Sequence, residues 1–187
     1  MKQLRSFGAM VLVAMLLAVG QTLSMPMFAA ASSGVPPMVP EAIAVPAGSV
    51  LLFSRHAKGV QIYECKNGQW AFHAPQALLF DPQSNQLTGI HYGGIDRSLT
   101  PGPWWESVED GSRIRGGNAL SAPSPNANSI PLLRLEVLER QGSGVFSPAS
   151  YIQRLNTKGG VGPTGGCQTG LQRQVPYTAD YYFYATP

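Results

Sequence analysis

The hydrophobic and polar positions of this chain follow the short, alternating period of β-strands rather than the period of helices. From residue 49 onward, short runs rich in β-branched and aromatic side chains are separated by Gly, Pro, Asn and Asp. We therefore expect about nine or ten short strands. The pattern predicts an all-β fold, a single antiparallel β-sandwich or barrel that spans residues 49–187.

The turns between these runs can be placed from their residue types. Asn67-Gly68 is the strongest hairpin signal, because both residue types tolerate a positive φ. The segments 81–85 and 109–111 have the composition of two further hairpin turns, and the Gly- and Pro-containing segments 93–103 and 121–129 are predicted loops.

Several runs allow more than one strand assignment. Lys58-Gly59 is interpreted as a break between strands at 49–56 and 59–65, and separate strands are predicted at 69–73, 77–80 and 145–146. Residues 130–140 suit either a helix or a strand with Leu133, Leu135 and Val137 on one face. We favour the strand because its neighbours are hairpin-like. The final aromatic run, residues 177–184, has large side chains on both faces, which predicts a strand with a neighbour on each side.

The N-terminal segment 1–31 has the features of an export signal. Lys2 and Arg5 precede an uncharged apolar run, residues 7–19, and small residues up to Ala31 suit cleavage after that residue. The run is shorter than the ~20 residues that a membrane-spanning helix needs. We expect a cleaved signal helix, no retained membrane anchor and a secreted protein, periplasmic or extracellular. Residues 32–48 hold four prolines and form an extended lead-in before the β domain.

Two cysteines, Cys65 and Cys167, remain after the signal. In an oxidising compartment an even number of cysteines favours a disulfide, so we predict that this pair is joined. The signal also takes two of the 13 basic residues with it, which leaves them nearly balanced by the 10 acidic residues. Without a basic cluster, no nucleic-acid partner is expected.

The densest polar and aromatic stretch supplies the candidate site residues. His91, Glu106 and Asp110 could act as general acid and base if folding brought them together. Trp104 and Trp105 point to opposite faces of an extended strand, so we expect one to pack in the core and the other to be exposed. Tyr92, Trp104 and Trp105 are the candidate ligand-binding residues.

No metal site and no cofactor is predicted. No pair of histidines has metal-ligand spacing. The letters G-x-G-x-x-G at residues 160–165 lack the strand-turn-helix context of a dinucleotide site, and the segment is interpreted as the loop that carries Cys167. These residues favour a binding or structural domain with an unknown ligand. The alternative is a secreted hydrolase or lyase that uses His91 and Glu106.

Several blocks together resemble the domain-of-unknown-function family 3455. They are Gly59–Cys65, His91-Tyr92, Trp105-Glu106, Tyr151–Thr157 and Val175–Tyr184. The resemblance spans about residues 36–184 and implies an exported β-rich domain of the kind found in bacteria and fungi. It implies no catalytic residue.

Overall fold

The computed structural model describes residues 35–94 and 99–186, whose strands form one antiparallel sheet that closes on itself as an eight-stranded barrel. Each strand pairs with the next one along the chain, and pairing of the first with the last completes the ring. The all-β prediction is confirmed, and of the two architectures it allowed the fold is the barrel. The strands are β1 (Val50–Lys66), β2 (Gln69–Phe80), β3 (Leu87–Gly93), β4 (Pro103–Ser107), β5 (Arg113–Ala122), β6 (Leu132–Gln141), β7 (Tyr151–Gly159) and β8 (Gln172–Ala185).

The number of strands is lower than predicted because two pairs of predicted strands are each one long strand. The runs 49–56 and 59–65 merge into β1, and 69–73 and 77–80 merge into β2. Gly59 does not break β1. A Cβ atom at this position would overlap the backbone of Gln76 and Ala77, so the glycine lets β1 and β2 approach closely in mid-strand.

The predicted strand at 145–146 is also wrong, since these residues lie in a turn between β6 and β7. Gly142 and Gly144 have positive φ values of 75° and 159°, which turn the chain away from the sheet. Phe146 is nevertheless fully buried, and its backbone N–H donates a hydrogen bond of 3.2 Å to Ser112 Oγ. The apolar run at 145–146 therefore reflects a side chain that packs the turn against the core, and it does not indicate a strand.

The predicted hairpin turns are confirmed. Asn67 and Gly68 have φ values of 51° and 81° and join β1 to β2, with Lys66 paired to Gln69. The two other turns connect β2 to β3 and β4 to β5. The ambiguous segment 130–140 is strand β6, as favoured.

The barrel interior is filled at the end near the β6–β7 connection. Phe53 stacks on Phe183 with 4.8 Å between ring centroids, and Phe146 contacts both rings edge-on. Such aromatic pairs add to the stability gained from burying their area. These three aromatic rings fill one end of the barrel interior, and the interior of the opposite end is lined by other side chains.

The described part of the proline-rich lead-in packs against the outside of the barrel. Its one regular element is a 3-10 turn, Glu41–Ile43, and the Ile43 side chain is fully buried. The Ile43 carbonyl accepts a hydrogen bond of 2.7 Å from Gln153 Nε2, and Arg134 donates one of 3.0 Å to the Ala44 carbonyl. The lead-in thereby supplies acceptors to polar side chains of β6 and β7.

The predicted disulfide is confirmed: Cys65 and Cys167 are joined, at a sequence separation of 102. Cys65 lies near the end of β1, and Cys167 lies in the glycine-rich loop between β7 and β8. Because β1 and β8 are the strands that close the ring, the bridge fastens the closing seam of the barrel.

The predicted signal segment and its cleavage after Ala31 lie outside the described residues. Within residues 35–94 and 99–186, no helix is long and apolar enough to cross a membrane.

Candidate ligand cavity

A cavity of about 350 Å³ lies at the end of the barrel that carries the disulfide. It is bounded by the ends of β1, β3, β5 and β7 and by the starts of the strands that follow them. This volume is at the small end of the range for small-molecule sites. Its apolar lining includes Phe72, Pro75, Pro103, Leu133 and Leu135.

His91 is buried in the wall of this cavity. Its ring stacks on Trp105 with 4.2 Å between centroids, and the Tyr181 ring contacts it edge-on at 5.0 Å. His91 Nδ1 donates a hydrogen bond of 2.7 Å to the Trp104 carbonyl. Burial lowers the pKa of His91 to about 3, so the imidazole is neutral at pH 7 and Nε2 carries a lone pair. His91 therefore offers the cavity an acceptor without a charge.

Two buried donors of the cavity wall have no hydrogen-bond partner among the described residues. They are Nε2 of Gln61, on β1, and Nε1 of Trp105, on β4. Both side chains are at most 2% exposed. A buried donor without a partner costs free energy, and native proteins contain few of them. These two donors are available to a ligand that carries acceptor atoms.

Two tyrosines and an arginine add further polar groups to the cavity region, which His73 and Asn118 also line. The Tyr177 and Tyr181 hydroxyls are 3.4 Å apart, and burial raises the pKa of both groups. Arg154 lines the cavity from β7, paired in register with Tyr181. Burial is the main cause of the lowered pKa of His91, and the positive charge of Arg154 lowers this pKa further. The guanidinium charge therefore acts on the interior of the cavity.

The structure does not bring His91 and Glu106 together. His91 is paired in register with Trp105, so Glu106, the next residue, points to the opposite face of the sheet. Glu106 accepts a hydrogen bond of 2.6 Å from the Tyr92 hydroxyl and lies 3.6 Å from Arg113. Burial and this hydrogen bond raise the pKa of Tyr92 to about 12. The sheet therefore separates the two groups that the hydrolase or lyase alternative combines.

Asp110 is not at the cavity either. It lies in the β4–β5 turn at the other end of the barrel, where its carboxylate accepts hydrogen bonds of 2.9 Å from the backbone N–H groups of Ser112 and Val145. Burial acts to raise its pKa, but these hydrogen bonds outweigh it and hold the pKa below its ordinary value. Asp110 thus holds the β4–β5 turn against the β6–β7 connection.

The two tryptophans point to opposite faces, as predicted, but neither is exposed. Trp105 lines the cavity, whereas Trp104 lies on the outer face of the sheet. Trp104 Nε1 donates a hydrogen bond of 2.9 Å to the Thr100 carbonyl. Of the three candidate ligand-binding residues, only Trp105 lines the cavity.

Five polar residues of the cavity lining were not predicted from the sequence: Gln61, His73, Asn118, Arg154 and Tyr181. Gln61 sits between Val60 and Ile62, and strand alternation places it on the opposite face from both. The only signal that Gln61 faces the interior was the size of its neighbours on the same face of β1. Ala57 and Gly59 are small enough for an interior position. In the described residues, no three His, Cys, Asp or Glu side chains lie together as a metal site requires.

These features define the class of the protein: a closed antiparallel barrel whose strands follow one another around the ring, with an interior cavity at its disulfide-bonded end. The model of the family described as "Protein of unknown function (DUF3455)" matches residues 46–185, and the chain belongs to this family. The resemblance noted in the sequence is thereby confirmed. No curated protein and no solved structure matches the chain.

Proposed function

We propose that the protein is an exported binding protein that takes a small, largely apolar molecule into the end of its barrel. One observation carries the proposal. A cavity with a mostly apolar lining contains two buried hydrogen-bond donors, on Gln61 and Trp105, that have no acceptor among the described residues. Ligand sites combine an apolar lining with a few placed polar groups in the same way. A purely structural core would fill the space and pair the donors.

Export is supported by the disulfide as well as by the signal-like segment. Bonds of this kind persist in oxidising compartments and are rare in the cytosol. N-terminal sequencing of the protein recovered from its producing cells is expected to begin at Ser32, which follows the predicted cleavage site. A chain that begins at Met1 would contradict export by a cleaved signal.

Binding can be tested with the disulfide-bonded protein and N-phenyl-1-naphthylamine, a neutral probe whose fluorescence rises in apolar surroundings. We expect saturable binding of one probe per protein, accompanied by quenching of tryptophan fluorescence through contact with Trp105.

A pair of matched variants locates the bound probe. Leu133→Trp adds bulk inside the cavity and is expected to abolish binding, because Leu133 lines it. Leu138→Trp makes the same change on the same strand, but at a side chain that is 45% exposed outside the cavity. This control is expected to bind like the wild type. Equal binding by both variants would place the probe elsewhere and refute the proposal.

A further inference from the structure

Arg154 has no carboxylate of the described residues within 4 Å, a property it shares with Arg140 and Arg173, but of these three only Arg154 lines the cavity. Four others have such a partner: Arg55 with Asp81, Arg113 with Glu106, Arg115 with Glu139, and Arg134 with Glu136. Among the described residues, no Asp or Glu lines the cavity. A partly buried charge beside apolar side chains is costly unless an opposite charge compensates it. Among residues 35–94 and 99–186, the guanidinium of Arg154 in the cavity therefore has no counter-ion.

The guanidinium is held in a fixed position and keeps a free donor. Arg154 Nε and Nη2 both donate to the Pro131 carbonyl, at 3.2 and 2.9 Å. These two bonds leave Nη1 unused, and the guanidinium also lies near the Tyr181 hydroxyl, where it lowers the pKa of Tyr181 against the larger effect of burial. Two bonds to one backbone oxygen fix the plane of the group, so Nη1 is positioned in advance for an acceptor. A ligand would not have to immobilise this long side chain when it binds.

The other unpartnered groups match the same kind of ligand atom. Gln61 Nε2 and Trp105 Nε1 can only donate, and Arg154 has no acceptor at all. An ionised carboxylate is the complementary group, because both of its oxygens only accept. Its single negative charge balances one guanidinium, since the neutral His91 adds no second cation. Apart from His73, Asn118 and Tyr181, the remainder of the lining is apolar and suits a hydrocarbon or aromatic body.

We infer that the cavity selects small carboxylic acids with an apolar body, whose carboxylate is received by Arg154 and assisted by the Gln61 amide. This inference rests on the proposed function and adds the chemical class of the ligand. It assigns to Arg154 the role of a specificity-determining residue.

The test compares two probes of nearly the same shape, 2-naphthoate and 2-naphthalenemethanol, by isothermal titration calorimetry at pH 7. The wild-type disulfide-bonded protein is expected to bind the carboxylate at least tenfold more tightly than the alcohol, because only the carboxylate forms charge-assisted hydrogen bonds. Arg154→Met is expected to remove this preference, measured as the ratio of the affinities for the two probes. Gln61→Leu should reduce the preference by a smaller factor.

Two further variants separate specificity from folding. Arg140→Met also removes a guanidinium that donates to a backbone carbonyl, that of Ala149, but Arg140 does not line the cavity, so the preference for the carboxylate should persist. Arg154→Lys keeps the positive charge and should retain a preference of severalfold. Thermal unfolding of each variant verifies that it is folded before titration.

The outcomes distinguish the two proposals. If both probes bind the wild type with equal affinity, the carboxylate inference is wrong and the binding function stands. The inference is also wrong if Arg154→Met keeps the full preference. If neither probe binds at millimolar concentration and N-phenyl-1-naphthylamine does not bind either, the binding function itself is refuted, and the inference is lost with it.

Discussion

Removal of the disulfide is expected to cost a large part of the stability of this barrel. The Cys65→Ala/Cys167→Ala variant opens a covalent loop whose ends are 102 positions apart. In the chain-entropy model, a loop of about 100 residues constrains the unfolded chain by about 4.7 kcal/mol at 25 °C. For a domain of this size, that loss corresponds to a melting temperature lower by about 10–20 °C.

The folded barrel should change little, because backbone hydrogen bonds hold the two segments together without the bridge. Cys65 donates to the Leu171 carbonyl at 2.8 Å, and Gly170 donates to the Cys65 carbonyl at 3.0 Å. The pairing of β1 with β8 runs through this region as well. The destabilisation is therefore expected to act mainly through the unfolded state, which becomes more expanded.

Urea unfolding followed by tryptophan fluorescence measures both effects. The variant should have a lower free energy of unfolding and a steeper dependence on urea, since its unfolded chain exposes more surface. Wild-type protein reduced with a thiol reagent is the control and should match the variant. A loss below about 1 kcal/mol, where the entropy model gives about 4.7, would refute the idea that the bridge limits the unfolded chain.

Three other outcomes follow from individual side chains. His91 has a pKa of about 3 when folded and an ordinary value near 6.5 when unfolded, so the unfolded chain binds more protons between these values and stability should fall as the pH drops from 6.5 toward 3. His91→Gln should flatten that slope in unfolding experiments at several pH values, and an unchanged slope would contradict the assignment. Gly59→Ala should lower stability by about 1–3 kcal/mol or more, because the new Cβ overlaps the β2 backbone. Gly166→Ala, whose Cβ meets nothing closer than 4.0 Å, should be nearly neutral, and equal effects of the two would refute the steric argument. Ile43→Ala removes a fully buried side chain of the lead-in and should cost about 2–5 kcal/mol, unless proteolysis shows that the lead-in detaches independently of the barrel.

The cavity illustrates why the site was only partly predictable. His91 and Trp105 were recognised as candidates because their residue types are chemically versatile. Whether His91 faces Glu106 or Trp105 depends on the pairing register of β3 and β4, which the loop between them sets. A shift by one residue would exchange the faces. Sequence spacing alone therefore could not reject the pairing of His91 with Glu106.

The sequence by itself determined the local features of this protein. Strand alternation, the Asn67-Gly68 turn and the two cysteines led to an all-β fold with one disulfide, because such features depend on residues close in the chain or on an even cysteine count. Only the tertiary structure decided that the sheet closes, since closure requires β1 to pair with β8 more than 100 positions away. Closure also decided which face of each strand is interior. It thereby placed Gln61, Trp105 and Arg154 around one cavity, a convergence of distant strands that no local pattern encodes.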